Sequence, residues 1–433
     1  MENSPASIFS ESISKSDLMN ICLLSYRGNM FCGGQGIYLY YLSRALAQRG
    51  HNITIIVGPP YPAYMPWAKV HREVNHHFWG WHRDWLPKPN PFEAFLPLNM
   101  LELAYRKFGF FPEPMAFSLR AFRTFGKLCR QTSFDIVHDI QSLGFGLIAV
   151  KLSGVPVVTT VHHPLTVDLR ASINQPGKNF VDVMGSIEFY PVLMQAFVAR
   201  RLDAVLTSSK ASKKELIADF RIKADKIRIV GNGIELEHFN ELPYVKRSNN
   251  LLLFVGYVDG PQKGFYYLLK ALKLLPKHIE LIAVDDPNRF WAPMWIKELG
   301  LENRVKFTGK VSDEELLKLY SQSTITVISS LYEGFGLPAV EALCCGSAVV
   351  ATRTGALPEI IEHGVTGLLV PPKDPQAIAE AVMYFLLNED ARLASVKEGR
   401  NRVAQNFSWE KIAEKTEAVY KEVISNKEKY AHY

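Results

Sequence analysis

Short apolar runs rich in β-branched residues alternate along the chain with longer stretches in which apolar residues recur every three or four positions. That alternation predicts parallel strands joined by crossover helices. Strands are expected at Asn20–Ser25, Asn52–Val57, Asp135–His138, Pro156–Val161 and Ala204–Ser208, with a helix between the first two that ends near Gly50. The run from Lys226 to Ile234 reads as a strand closed by a turn. The pattern then starts again, with strands at Leu251–Gly256, Ile279–Val284, Val305–Thr308, Thr324–Ser329 and Ala348–Thr352. Helices are expected at Phe265–Leu275, Pro375–Leu387 and Trp409–Ser425. The fold class is α/β: two doubly wound, Rossmann-like sheets joined near residues 233–250. Ligands of such sheets sit outside the carboxyl ends of the strands, so two facing sheets enclose a cleft.

Composition narrows this picture. A chain of 433 residues has room for two or three domains at about 100–200 residues each. With 48% hydrophobic and 21% charged residues it can bury large cores. The net charge of +6 is mild for this length and argues against a dedicated nucleic-acid binder. No run of about 18 apolar residues predicts a membrane span. Residues 1–17 form a polar, Ser-rich tail without the apolar centre of a signal peptide. The five cysteines, Cys22, Cys32, Cys129, Cys344 and Cys345, show no paired framework or metal spacing, which predicts a cytoplasmic location.

The charge is unevenly placed. Residues 61–130 carry ten Lys/Arg against five Asp/Glu, and also Trp67, Trp79, Trp81 and Trp85. Within this insertion, residues 59–130, Met115–Arg130 reads as a helix with Arg120, Arg123, Lys127 and Arg130 at three- or four-residue steps beside Phe117, Phe122 and Phe125. Such a helix either lies on an anionic membrane surface, where it would also meet the acceptor, or turns its apolar side to the core and leaves the basic side in water.

Four loops after predicted strands carry candidate chemistry. Cys32-Gly33-Gly34-Gln35-Gly36 lets the backbone approach an anion at a helix N-terminus, or is simply a tight turn. In the loop from Gly256 to Gly264, Lys263 either neutralises a diphosphate or is solvated. In Glu333-Gly-Phe-Gly-Leu-Pro-Ala-Val-Glu341 the glycines expose backbone N–H groups, Pro338 opens a helix, and Glu341 is expected in its first turn. Two carboxylates around a glycine-rich helix start suit a ligand with both sugar hydroxyls and phosphates. In His162-His163-Pro164 either imidazole could donate to a substrate hydroxyl or phosphate.

The order of these motifs, with Asn232-Gly-Ile, Thr354-Gly-Ala-Leu-Pro-Glu359 and Gly364-Val-Thr-Gly-Leu-Leu-Val370, resembles that of family 4 retaining glycosyltransferases (glycosyl transferases group 1) of GT-B architecture. The resemblance covers about residues 18–425. It implies an N-terminal acceptor domain at 18–232, a donor domain at 233–406, and a helix at 407–425 that crosses back to the first domain. It implies a hexosyltransferase that moves a sugar from a UDP-, GDP- or ADP-sugar to a hydroxyl acceptor, such as a glycan or lipid precursor. No metal or cofactor is implied, and no Asp-x-Asp stands near these loops.

By the same resemblance, Gly33 and Gly34 contact the donor diphosphate, and His162 meets the transferred sugar. Lys263 binds the diphosphate. Glu333 and the backbone of Gly334, Phe335, Gly336 and Leu337 hold sugar and phosphate, and Glu341 holds the ribose. His162, Glu333 and Lys263 would form the catalytic group. Two positions depart from the family: Tyr257, within the donor-binding set, replaces a common arginine, and Tyr38 a common histidine. The first departure leaves room for a catalytically silent sugar-binding or scaffold subunit. A phosphorylase-like enzyme of the same architecture is a further alternative.

Overall fold

The computed structural model describes residues 18–30, 34–74, 92, 95–107, 111–173, 184 and 191–431. Gly33, the 1–17 tail and Trp79, Trp81 and Trp85 lie outside the described residues.

The first half contains β1 (Asn20–Ser25), α1 (Gly34–Gln48), β2 (Asn52–Val57), β3 (Ala68–Arg72), α2 (Pro97–Lys107), α3 (Glu113–Leu128), β4 (Ile136–Ile140) and α4 (Gly146–Leu152). It continues through β5 (Val157–Val161), α5 (Leu165–Ile173), α6 (Val192–Ala199), β6 (Ala204–Thr207), α7 (Lys210–Phe220) and β7 (Ile227–Ile229). Its strands form one parallel sheet in the order β3-β2-β1-β4-β5-β6-β7.

The second half contains β8 (Ser248–Val255), α8 (Phe265–Leu274), β9 (Glu280–Val284), α9 (Trp291–Leu299), β10 (Val305–Phe307), α10 (Asp313–Gln322) and β11 (Ser323–Ile328). Then come α11 (Leu337–Cys344), β12 (Ala348–Thr352), α12 (Leu357–Ile360), β13 (Leu368–Val370), α13 (Pro375–Leu387), α14 (Glu389–Asn406) and α15 (Trp409–Ala431). This sheet is also parallel, in the order β10-β9-β8-β11-β12-β13.

Helices cover both faces of each sheet, so the central strands are enclosed: β5 and β12 are buried at every residue. Helix starts carry recognisable caps. Ser312 and Glu315 form a reciprocal capping box on α10, and Asp374 caps α13 ahead of Pro375. In both sheets the connections reverse direction beside the first strand, between β1 and β4 and between β8 and β11. Those two reversals place the crevices for ligands.

Helix α15 packs on the first half. Tyr420 Oη lies 2.5 Å from His138 Nδ1, and Glu417 accepts from Arg49 Nε at 2.6 Å. Trp409 sits against Tyr38 and Tyr41, 5.6 Å from each ring centre.

The basic helix of the insertion is α3, and it turns inward. Phe117 and Phe125 are buried in the core of the first sheet, with Phe122 packed against them. Arg120 is directed to Asn99 and to the buried Glu102 of α2, so its charge is spent inside the fold. Arg123 and Lys127 are exposed. Of the two expectations for this helix, the core-facing one matches the packing, because the phenylalanines that would enter a membrane are already buried.

Candidate active site

The carboxyl ends of the two sheets enclose a cavity of about 520 Å³. Its walls come from the loops at the two reversals: Gly34 after β1, Gln141 after β4, Lys263 after β8 and Glu333 to Pro338 after β11, together with His162 and His163 after β5.

Lys263 precedes α8 at a point where only glycine fits next. Gly264 has φ +62°, and a Cβ there would stand 2.0 Å from the carbonyl oxygen of Ser329. Lys263 Nζ lies 2.8 Å from Glu333 Oε2, which also accepts from Ser330 Oγ at 3.1 Å. The lysine is therefore not simply solvated.

The Glu333 loop leads into α11. Gly336, at φ +105°, caps the helix and Pro338 lies in its first turn. Gly336, Leu337 and Pro338 all line the cavity, so the helix N-terminus faces it, a ready anion site. The Gly334 carbonyl turns the other way and accepts from the hydroxyls of Ser208, Ser209 and Ser212 at 2.9–3.2 Å, which ties this loop to the first half.

Both histidines line the cavity, in different ways. Gln141, itself at φ +54°, clamps the turn: its Oε1 accepts from His162 N and its Nε2 donates to His163 O, both at 3.0 Å. The His162 ring packs edge-on to Tyr38, with ring centres 4.8 Å apart, and its Nδ1 lies 3.2 Å from Asn232 Oδ1. Burial, with His163 adding to it, pushes its pKa down to about 4 against the pull of Asn232. The neutral ring donates from Nδ1 to the Asn232 carbonyl, so Nε2 carries a lone pair. Nε2 is buried and has no hydrogen-bond partner among the described residues. A buried acceptor without a partner is costly. The sequence pointed to an imidazole that donates; with Nδ1 donating to Asn232 Oδ1, Nε2 is an acceptor. His163 differs, with Nε2 2.8 Å from Asp168 Oδ2.

Glu341 needs two corrections. It is the fifth residue of α11, beyond the first turn, and it does not line the cavity. Its half-buried carboxylate accepts from Tyr320 Oη at 2.8 Å. Burial pushes its pKa up to about 7; the Tyr320 bond opposes this and Asp313 adds to it. Tyr257 also stands outside the cavity wall, half exposed, with the Arg289 guanidinium 4.5 Å over its ring. Arg289 is held by Asp285 at 2.9 Å, so the fold brings a cation beside the position where the sequence lacks one. Tyr38 is buried, with its hydroxyl 3.3 Å from Thr160 Oγ1. Sequence reasoning gave no site role to Gln141, Asp168 or Tyr332, and named Asn232 only as part of a motif. No group of three or more His, Cys, Asp or Glu among the described residues is placed to hold a metal ion.

Two parallel Rossmann-like domains closed on a cleft of this kind define the GT-B class of glycosyltransferases. Residues 32–238 match the family model "Glycosyltransferase Family 4" and residues 239–402 match "Glycosyl transferases group 1". The chain is 35% identical over 422 residues to the MMP alpha-(1->4)-mannosyltransferase of Mycolicibacterium hassiacum, covering 94% of this chain and 99% of that protein. It is 26% identical to the D-inositol 3-phosphate glycosyltransferase of Xylanimonas cellulosilytica, over 90% of this chain and 92% of that one. Among solved structures, sucrose-phosphate synthase from Thermosynechococcus elongatus superposes with a TM-score of 0.67 at 24% identity, covering 94% of this chain and all of that one. Anabaena Alr3699/HepE, solved with UDP and glucose, superposes with a TM-score of 0.66 at 20% identity, covering 93% and 100%. At these identities the two structures show the shared fold. The chain belongs to the family 4 glycosyltransferases of GT-B architecture, and it is a hexosyltransferase.

Proposed function

We propose that the chain is a retaining transferase that moves a hexose, with mannose the first candidate, from a nucleoside-diphosphate sugar to an acceptor hydroxyl. One arrangement carries this reading. The Lys263–Glu333 pair stands beside the N-terminus of α11 and shares one cavity with His162. The lysine and the helix N-terminus suit a diphosphate; the acceptor atoms of Glu333 and His162 suit sugar hydroxyls. Gly34 extends the phosphate side, with Gly33 beside it in sequence, and Glu341, outside the cavity lining and one turn further along α11, is assigned the ribose in this reading. Mannose is favoured by the mannosyltransferase at 35% identity.

In the reaction, the bond from sugar C1 to the phosphate oxygen breaks, the acceptor oxygen bonds C1 on the same face, and the acceptor proton passes to the departing diphosphate. Stabilising that diphosphate is then the main catalytic contribution of the protein. Cytosolic operation is supported by the free thiols of Cys22, Cys129, Cys344 and Cys345. Association with anionic lipid through α3 would draw on the exposed charges of Arg123 and Lys127 and not on its buried phenylalanines. No helix among the described residues is long and apolar enough to cross a membrane.

The test is nucleotide release from a panel of UDP-, GDP- and ADP-sugars. One donor should be hydrolysed slowly without acceptor, and more slowly by Lys263→Ala. Absence of binding and turnover across the panel would favour the silent-subunit alternative instead.

A further inference from the structure

Two carbonyl oxygens from opposite halves converge on the start of α7. Ser208 Oγ stands 3.0 Å from the oxygen of His162 and 3.1 Å from that of Gly334. Ser212 Oγ stands 3.0 and 3.2 Å from the same two atoms. Ser209 Oγ donates to the Gly334 oxygen at 2.9 Å and accepts from Ser212 N, which caps the helix. Carbonyl oxygens carry lone pairs and no hydrogen, so two of them share one buried place only where donors lie between them. All three serines are buried. The backbones joined in this way also pack directly: a Cβ on Gly334 would stand 3.3 Å from His163 Cβ.

A second tie joins the same two segments. Glu359 of α12 accepts from Lys210 N at 2.9 Å and from Ala211 N at 3.0 Å, one backbone amide on each carboxylate oxygen. These amides open α7 and have no acceptor within the helix, and a negative charge suits them. The Glu359 segment is itself fastened to the Glu333 loop. Ala356 N donates to Glu333 O at 2.9 Å. Gly355, at φ +53°, packs so closely that a Cβ would stand 2.1 Å from that oxygen. Arg402 holds α12 by donating to the carbonyls of Glu359 and Ile360 at 3.0 and 2.8 Å. The second half therefore grips the start of α7 through Gly334 and Glu359, and both are bound to the Glu333 backbone, one covalently and one through the Ala356 hydrogen bond.

We propose that Glu359, together with Ser208 and Ser212, are positioning residues that set Glu333 of the second half in register with His162 of the first. Glu359 does not line the cavity, so it acts through the Glu333 loop. This rests on the transferase reading above, in which Glu333 and His162 meet the same sugar.

The experiment uses the full chain with whichever donor the nucleotide-sugar panel identifies. Hydrogen exchange resolved to single amides should find Lys210 and Ala211 protected in the wild type and unprotected in Glu359→Ala, while amides further along α7, bonded within the helix, keep their protection. In the same variant kcat for donor turnover should fall at least about tenfold, within the roughly hundredfold that a misplacement of about 1 Å can cost. The affinity for the free nucleoside diphosphate, measured by calorimetry, should stay within about twofold of wild type. A merely structural role would lower the melting temperature without that split. Glu359→Gln, which keeps one acceptor oxygen, should fall between the two. Should Glu359→Ala fail to fold, Ser208→Ala, which leaves the Ser209 cap intact, should show the same split. Unprotected Lys210 and Ala211 amides in the wild type overturn the proposal without any kinetics. So does an unchanged kcat in Glu359→Ala once those amides are exposed, or an equal loss of kcat and of diphosphate affinity. A wild type that protects those amides yet turns over no nucleotide sugar removes the transferase reading, and this proposal with it.

Discussion

Lys263 Nζ and Glu333 Oε2 stand 2.8 Å apart, although the two residues come from different strands' loops and are separated by 70 positions. The pair holds each charge in place, yet the two partners are proposed to serve different parts of the donor. Lys263→Ala should weaken binding of the nucleoside diphosphate and lower kcat by about 100-fold or more, the range seen when a preorganised charge contact is removed. Glu333→Gln should keep that binding and raise the KM for the intact nucleotide sugar. Calorimetry with the diphosphate, alongside steady-state kinetics, separates the two. Identical losses of diphosphate affinity in both variants would refute the division of roles.

His162 is expected to remain neutral through the working range, because burial holds its pKa at about 4. Nitrogen-15 NMR of histidine-labelled protein at pH 6 should show a protonated Nδ1 and an unprotonated Nε2 for this residue. His162→Ala should lower kcat/KM by about 10–100-fold through loss of one hydrogen bond to the sugar. An imidazolium signal at pH 6 would contradict the assignment of Nε2 as an acceptor.

Glu341 gives a pH signature. Its carboxyl titrates near 7 in the folded protein against 4.5 ordinarily, so the folded state binds the extra proton between those values. The stability it contributes is complete below about 4.5 and is lost as pH rises through about 7. Gln mimics the protonated form, so Glu341→Gln should gain stability relative to wild type between pH 5 and pH 8 in parallel denaturation curves. Ribose hydroxyls that donate to the carboxylate would favour its ionised form, so nucleotide binding near pH 6 should release a proton. Calorimetry in buffers of different ionisation enthalpy measures this, and zero release would argue against a ribose contact.

Glu417 anchors α15 to the first half through Arg49, with His51 Nε2 3.4 Å away, and also pairs with Lys421 one turn along its own helix. Burial alone would raise its pKa, but the bonds from Lys421 and Arg49 outweigh that and hold it at about 2. A depressed carboxyl stabilises the fold above its ordinary pKa, and that stability is lost as pH falls from about 4.5 towards 2. Glu417→Gln should cost about 1–3 kcal/mol at pH 7, since it leaves partly buried cations uncompensated. Urea denaturation should show the deficit shrinking through that acid window. An equal deficit at pH 7 and pH 2.5 would show that packing, not charge, is responsible.

Legibility in the sequence followed burial. Asn20–Ser25, Asn52–Val57 and Ala348–Thr352 were bounded to the residue, because a strand covered on both faces reads as one apolar run. Strand β3 was not anticipated: it lies at the sheet edge, with Lys69 and Arg72 exposed, and has no apolar run to find. Helix α14 was also missed, since apolar residues are sparse in it and its buried side includes Arg392 and Ser395. Helix α3 was anticipated as a helix, but which of its sides faces the core was left open. Its pattern of phenylalanines and arginines fits either environment until α2 supplies Glu102.

The candidate site divides in the same way. The glycine turn at Gly34, the Lys263 loop and the Glu333–Pro338 helix start were readable because glycine φ freedom and proline at a helix start act locally. The Asn232 contact that sets the His162 tautomer, the Gln141 clamp, Asp168 beside His163 and Arg289 over Tyr257 required the folded chain. So did the removal of Glu341 from the first turn, which turned on one glycine, Gly336, serving as the cap. The sequence by itself determined the two α/β halves and the loops that carry chemistry, since hydrophobic periodicity and backbone preference belong to short stretches of chain. Tertiary structure alone decided which side chains meet, because a hydrogen bond depends on ångström-scale placement of groups set by the packing of elements tens to hundreds of residues apart.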